Sequence, residues 1–287
     1  MSWLFLSILT AISEASKDVF SKKGLRSTNV YIIALAYRLY AIPFLIPALL
    51  FFDFPKIQHE FWLALIFGGG LNVITTILYM KALNHSDLSV SVPMIAFTPL
   101  FLLITSPLIV GEFPSISGLI GVLLIVIGSY FLNLGEAKKG FFAPFKSLVQ
   151  NKGSRYMLMV AFIWSITSNI DKIGVKASSP MFWAISVNAF IALAMIPVVY
   201  VKSKAFLNQL ITNRRVLVPI GFFSAATLTF QMLAIDLALV AYVISVKRTS
   251  SVLVVLVGYW FFKEKGTAYR LIGASIMVAG VFFISML

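Results

Sequence analysis

The chain has 287 residues, 60% of them hydrophobic and only 11% charged, with a formal net charge of +13. Soluble domains carry roughly 25% charged residues, so this composition cannot cover an ordinary globular surface, and the sequence reads as a multi-pass membrane protein. The absence of cysteine excludes disulfides and thiolate metal sites.

Apolar segments long enough to cross roughly 30 Å of hydrocarbon as helices fall at 3–22, 30–52, 61–82, 88–110, 116–134, 155–175, 181–201, 216–236, 239–262 and 269–287. The first is no cleavable signal peptide, because it lacks a basic start and Glu14, Lys17 and Asp18 interrupt its apolar run. These three residues lie at i, i+3 and i+4 and share one helix face. On an insertion scale three such groups cost about 8–10 kcal/mol near a helix centre. Their face must therefore lie against protein or water, with Lys17 offsetting one carboxylate and Arg38 of the second helix a candidate partner for the other. Two readings follow: a self-neutralising network that orients helices one and two, or a substrate or proton path.

In the third segment Gly68-Gly69-Gly70 suits close helix packing, and Asn72 and Tyr79 can bond a ligand or bridge helices. Pro93 and Pro99 remove backbone bonds from the fourth and can kink it. Glu112 and Glu264 each stand just before a new helix, where a carboxylate caps free N–H groups. The segment 135–154 is basic and reads as a cytoplasmic tether, its Phe141, Phe142 and Phe145 able to lie on an anionic leaflet. In the sixth helix Asn169, Asp171 and Lys172 form a polar patch, Asp171 and Lys172 reading as an ion pair near the membrane surface. Asn188 and Gln231 follow in the seventh and eighth.

The ninth helix carries Lys247 and Arg248 about eight residues into its span, with no acidic residue within one turn. Arg presents a planar fork and Lys a mobile point charge, a pair suited to clamping phosphate or carboxylate. The alternatives are bonding to Glu14 or Asp18 across a cavity and snorkelling to the interface.

The second half of the chain repeats the first. An offset of 150 residues aligns Lys22 with Lys172, Gly24 with Gly174 and Pro47 with Pro197. After a two-residue slip Tyr79 meets Gln231, Glu112 meets Glu264, Leu119-Ile120-Gly121 meets Leu271-Ile272-Gly273, and Gly128 meets Gly280. Lys247 and Arg248 then face Ile95 and Ala96, so the cation pair belongs to one copy only. Five helices per copy force opposite orientations in the bilayer. The expected fold is an all-α membrane protein, with ten transmembrane helices as two inverted five-helix repeats around a central cavity: 1–134, the tether 135–154, and 155–287. Basic residues concentrate in the loops after the odd-numbered helices, which places those loops in the cytoplasm and both termini outside.

No enzymatic signature competes. His59 and His85 are the only histidines, and no nucleophile elbow or phosphate-cradling loop is present. The turns Gly111-Glu112 and Lys263-Glu264, each followed by Leu-Ile-Gly and a later glycine, resemble the drug/metabolite transporter superfamily, specifically its EamA-type members. That likeness implies a cavity lined by helices one to four and six to nine, with five and ten behind, and termini facing inward, opposite to the charge count. Glu14 to Lys22 looks like the small multidrug resistance branch, where such a carboxylate exchanges protons for cationic drugs. Val246-Lys247-Arg248 is similar to the ninth helix of plastid phosphate and nucleotide-sugar translocators, where the Lys-Arg pair holds a phosphorylated substrate.

The expectation is a secondary active transporter, exporter or exchanger, for a small polar anionic or zwitterionic metabolite. Its binding residues would be Lys247, Arg248, Glu14, Lys17, Asp18, Arg38, Tyr79 and Gln231. No cofactor, metal or nucleic acid is expected; the partners are the small-molecule substrate, a proton or counter-substrate, and the bilayer of a prokaryotic plasma membrane, the protein being a monomer or homodimer. The alternatives are a proton-coupled cation antiporter built on Glu14 and a lipid-head-group flippase.

Overall fold

The computed structural model describes residues 2–25, 28–50, 54–85, 92–134, 152–203, 206–253 and 267–286. The expectations placed on Glu264 and on Phe141, Phe142 and Phe145 of the tether lie outside the described residues. Among those described, regular structure is entirely helical: α1 Ser2–Gly24, α2 Val30–Leu39, α3 Ile42–Leu45 and a 3-10 turn Ile46–Leu50, α4 His59–His85, a 3-10 turn Val92–Phe97 running into α5 Thr98–Ile109, and α6 Ile116–Leu134. The second half gives α7 Lys152–Lys176, α8 Pro180–Lys202, a short α9 Phe206–Thr212, α10 Arg214–Leu237, α11 Val240–Lys247 and α12 Thr267–Ser285.

Local chemistry fixes several boundaries. Asn29 caps α2 by accepting from the Tyr31 amide at 2.9 Å, and Ser179 caps α8 with Pro180 at its first turn. Gly111 ends α5 in the left-handed region, φ 67°, where a side chain would be strained. The segment read as one helix over 30–52 is instead broken at Tyr40 and Ala41, with Pro43 and Pro47 just beyond. Helix α7 begins at Lys152, within the segment 135–154 read as a tether.

Among the described residues four helices are long and apolar enough to cross a membrane: His59–Tyr79 of α4, then α7, α8 and α10. Shorter apolar helices accompany them at 30–45, 94–109, 116–131 and 272–285. The surface is inverted relative to a soluble protein. Phe5, Trp62, Phe67, Leu108, Leu193, Val278 and Phe282 are exposed, whereas Ser7, Thr10, Asn169, Asn188 and Ser245 are fully buried. Hydrocarbon offers no hydrogen bonds, so polar groups are driven inward.

Helix packing is nearly unchanged when the halves are exchanged. α1 packs on α10 as α7 packs on α4, α1 on α11 as α7 on α5, and α2 on α10 as α8 on α4. Named contacts also give directions. Phe20 stacks on Phe223 at 5.6 Å and Gly24 faces Val216, so α1 and α10 run antiparallel. Gly68 faces Ile170 while Tyr79 meets Trp164, so α4 and α7 do too. Gly121 lies against Gly280 and Gly128 against Gly273, making α6 and α12 antiparallel, their backbones in contact because no side chain intervenes. In contrast α5 and α7 are parallel, through Phe101 with Phe162 and Ser106 with Asn169.

Candidate functional site

The charged groups of α1 and α11 meet in the interior. Lys17 Nζ lies 2.9 Å from Glu14 Oε2 and 3.7 Å from Asp18 Oδ1. Lys247 Nζ lies 3.7 Å from the same Glu14 oxygen and donates to Gln231 Oε1 at 2.8 Å. Helical spacing in α1 places Glu14 and Lys17 on one face, and the parallel run of α1 beside α11 brings Lys247 to that face. The cluster is not sealed: the side chains of Lys17 and Lys247 are 19% and 14% accessible, and that of Asp18 39%.

Arg248 sits at a break in its helix. Its amide donates to both Ile244 and Ser245 carbonyls, and Thr249 N to Val246 O, before helical turns resume at 250–253. Such i→i+3 turns wind more tightly than an α-helix and mark a local break or hinge, and cations suit the negative end of the helix that stops there. The matching place in the first half, residues 92–97, is also a 3-10 turn. The guanidinium bridges the two breaks: Nη2 donates to Thr98 Oγ1 at 3.1 Å, and Cζ lies over the Trp164 ring, 5.3 Å from its centroid. Its buried Nε has no hydrogen-bond partner among the described residues.

The remaining candidates divide. Gln231 is engaged by Lys247. The Tyr79 ring meets that of Trp164 at 5.7 Å with planes tilted by 32°. Arg38 makes no ion pair with Glu14 or Asp18; its guanidinium lies 4.6 Å from the Tyr37 ring, its Nε is also unpartnered among the described residues, and its carbonyl accepts from Asn188 Nδ2 at 2.9 Å. Asp18 has Lys17 as its ion-pair partner instead.

Asp171 and Lys172 do not pair with each other. Asp171 accepts from Trp183 Nε1 at 3.0 Å, while Lys172 reaches Glu112 at 2.6 Å and the Ala238 carbonyl at 2.8 Å. Neighbours in a helix point about 100° apart and so meet different partners. Glu112 caps a helix as expected, but the helix is α11 of the other half, through Val240 N at 2.7 Å. Asn169 bridges α7 to Thr105 and Ser106 of α5, and Asn72 bonds its own helix at Gly68.

Sequence reasoning missed Trp164, Thr98 and Tyr37, uncharged residues that look like any lipid-facing or core position. The repeat itself held the signal for Trp164: the 150-residue offset puts it opposite Glu14. An apolar cleft beside Tyr40, Pro43 and Leu207 lies between the broken second helix and α9; no charged residue lines it. Among the described residues no group of three His, Asp or Glu side chains is arranged to hold a metal.

The comparisons agree with this architecture. An uncharacterized transporter of Archaeoglobus fulgidus is 24% identical over 98% of this chain and 94% of its own length. A protein of known crystal structure superposes with a TM-score of 0.76 over 100% of this chain and 99% of its own, at 17% identity, a likeness of fold. The model of the EamA-like transporter family matches residues 1–134 and again 151–286, and the chain is therefore an integral membrane protein of the EamA-like transporter family.

Proposed function

We propose that this transporter is a secondary active carrier that exports or exchanges a small anionic or zwitterionic metabolite, with Lys247 and Arg248 as its anion-recognising pair. The observation that carries this reading is Arg248 at the break in its helix, bridging to Thr98 of the other half with a buried donor left unpartnered among the described residues. A buried N–H without an acceptor costs roughly 1–3 kcal/mol, and a substrate carboxylate or phosphate would remove that cost. Ten spans in two inverted halves, 1–134 and 155–287, account for the antiparallel pairs α1/α10, α4/α7 and α6/α12 together with the parallel pair α5/α7. Helices α6 and α12 then form a rigid seam, and the other helices surround a wet centre lined by Glu14, Lys17, Asp18, Arg38, Tyr79 and Gln231. Alternating access follows from rocking of the halves about that centre.

A proton-coupled cation carrier needs a carboxylate free to take a cation. Glu14 is held between two lysines, which favours anions. A purely structural network needs its charged groups mutually satisfied, and the open donors of Arg38 and Arg248 speak against that. The test is a thermal-shift screen of purified protein against carboxylates, organic phosphates and organic cations, since ligands of the folded state raise its melting temperature. Anions stabilise the wild type and lose that effect in Lys247→Gln/Arg248→Gln. Stabilisation by cations alone overturns the proposal.

A further inference from the structure

The two halves contribute unlike chemistry to equivalent places. The 150- and 152-residue offsets relate Glu14 to Trp164, Gln231 to Tyr79, and Lys247 to Ile95. On one side of the centre, Glu14, Gln231 and Lys247 form a charged, hydrogen-bonded group. On the other, the related positions hold Trp164 and Tyr79, whose rings meet at 5.7 Å with planes 32° apart. Both rings are partly buried, retaining accessible surface. Arg248 links the two sides: it belongs to the charged side by sequence and rests over the Trp164 ring.

We infer that Trp164 and Tyr79 form a stacking wall that selects substrates with a planar, apolar body attached to their anionic group. This rests on the anion reading given above and adds the part of the substrate that the cations do not touch. A π face accepts either a guanidinium or another ring. A flat substrate group can stack on this wall while its acidic end is bound by Lys247 and Arg248. The geometry makes the site amphipathic across its pseudo-symmetry axis, so a compact hydrophilic anion would leave the aromatic side unmatched.

The experiment compares acids that share one head group: acetate, cyclohexylacetate and indole-3-acetate, titrated onto purified protein with binding read by calorimetry and melting temperature. The wild type binds indole-3-acetate about five- to tenfold more tightly than cyclohexylacetate, in line with aromatic pair strengths, and acetate most weakly. Trp164→Ala removes the preference for the ring but still binds acetate; Trp164→Phe keeps most of the preference and guards against a folding defect. Lys247→Gln/Arg248→Gln weakens all three acids. Equal affinity of the wild type for the cyclohexyl and indole acids, or a ring preference that survives Trp164→Ala, overturns the inference and leaves the anion reading standing. Binding of none of the three acids overturns the inference, and the anion reading falls with it only if organic phosphates also fail to bind.

Discussion

Glu112, in the turn after α5, and Lys172, near the end of α7, meet at 2.6 Å and together tie three elements of the fold. The second carboxylate oxygen of Glu112 accepts the Val240 amide at the start of α11, and Lys172 also donates to Ala238 just before it. First and second halves are thus clamped at one end of the helix array, where Ser115 N adds a bond to Tyr242 Oη at 2.9 Å.

Breaking this clamp from one side leaves a shielded charge behind. The pair is half-buried, so removing one member costs between the ~0–1 kcal/mol of an exposed pair and the about 3–5 kcal/mol of a fully buried one, and Glu112→Ala or Lys172→Ala lowers the melting temperature. The double variant loses less than the sum of the two. A double-mutant cycle by thermal denaturation in detergent checks this, and strict additivity would show the pair to be uncoupled.

The seam between α6 and α12 gives a contrast between glycines. A Cβ at Gly128 would lie 2.6 Å from the Gly273 carbonyl oxygen and 2.7 Å from the Met277 amide nitrogen, both backbone atoms that cannot turn aside. Gly70 has nothing within 4 Å of the same atom. Gly128→Ala is expected to destabilise the fold, whereas Gly70→Ala is neutral or stabilises by about 0.5–1 kcal/mol through helix propensity. Comparison of their melting temperatures decides it.

Asp171 serves as an acceptor for a fully buried indole. Asp171→Asn keeps a carbonyl oxygen in place for Trp183 Nε1 and is expected to fold much as the wild type does. Asp171→Leu strands that N–H and costs about 1–3 kcal/mol. Equal melting temperatures for the two variants would show that the 3.0 Å bond contributes nothing.

The sequence made the helices legible because crossing hydrocarbon demands long apolar runs, and it made the correspondence of the two halves legible because equivalent residues recur at offsets of 150 and then 152. Which residues touch was harder to see. Asp171 and Lys172 are adjacent in the chain, yet the helix turns them toward Trp183 and Glu112, a choice set by tertiary packing. The break at Arg248 carries no proline or glycine to announce it, unlike the break near Pro43. Trp164 has no charge to draw notice; only its position opposite Glu14 in the repeat identifies it.

The central claim is that Lys247 and Arg248 recognise the transported anion in a wet centre between two antiparallel halves. The most direct measurement is uptake of small carboxylates and organic phosphates into proteoliposomes by the wild type and by Lys247→Gln/Arg248→Gln, with organic cations in parallel. The account predicts anion uptake by the wild type and its loss in the double variant at an unchanged melting temperature. Undiminished uptake of every anion by the variant, or wild-type transport of cations alone, would contradict it.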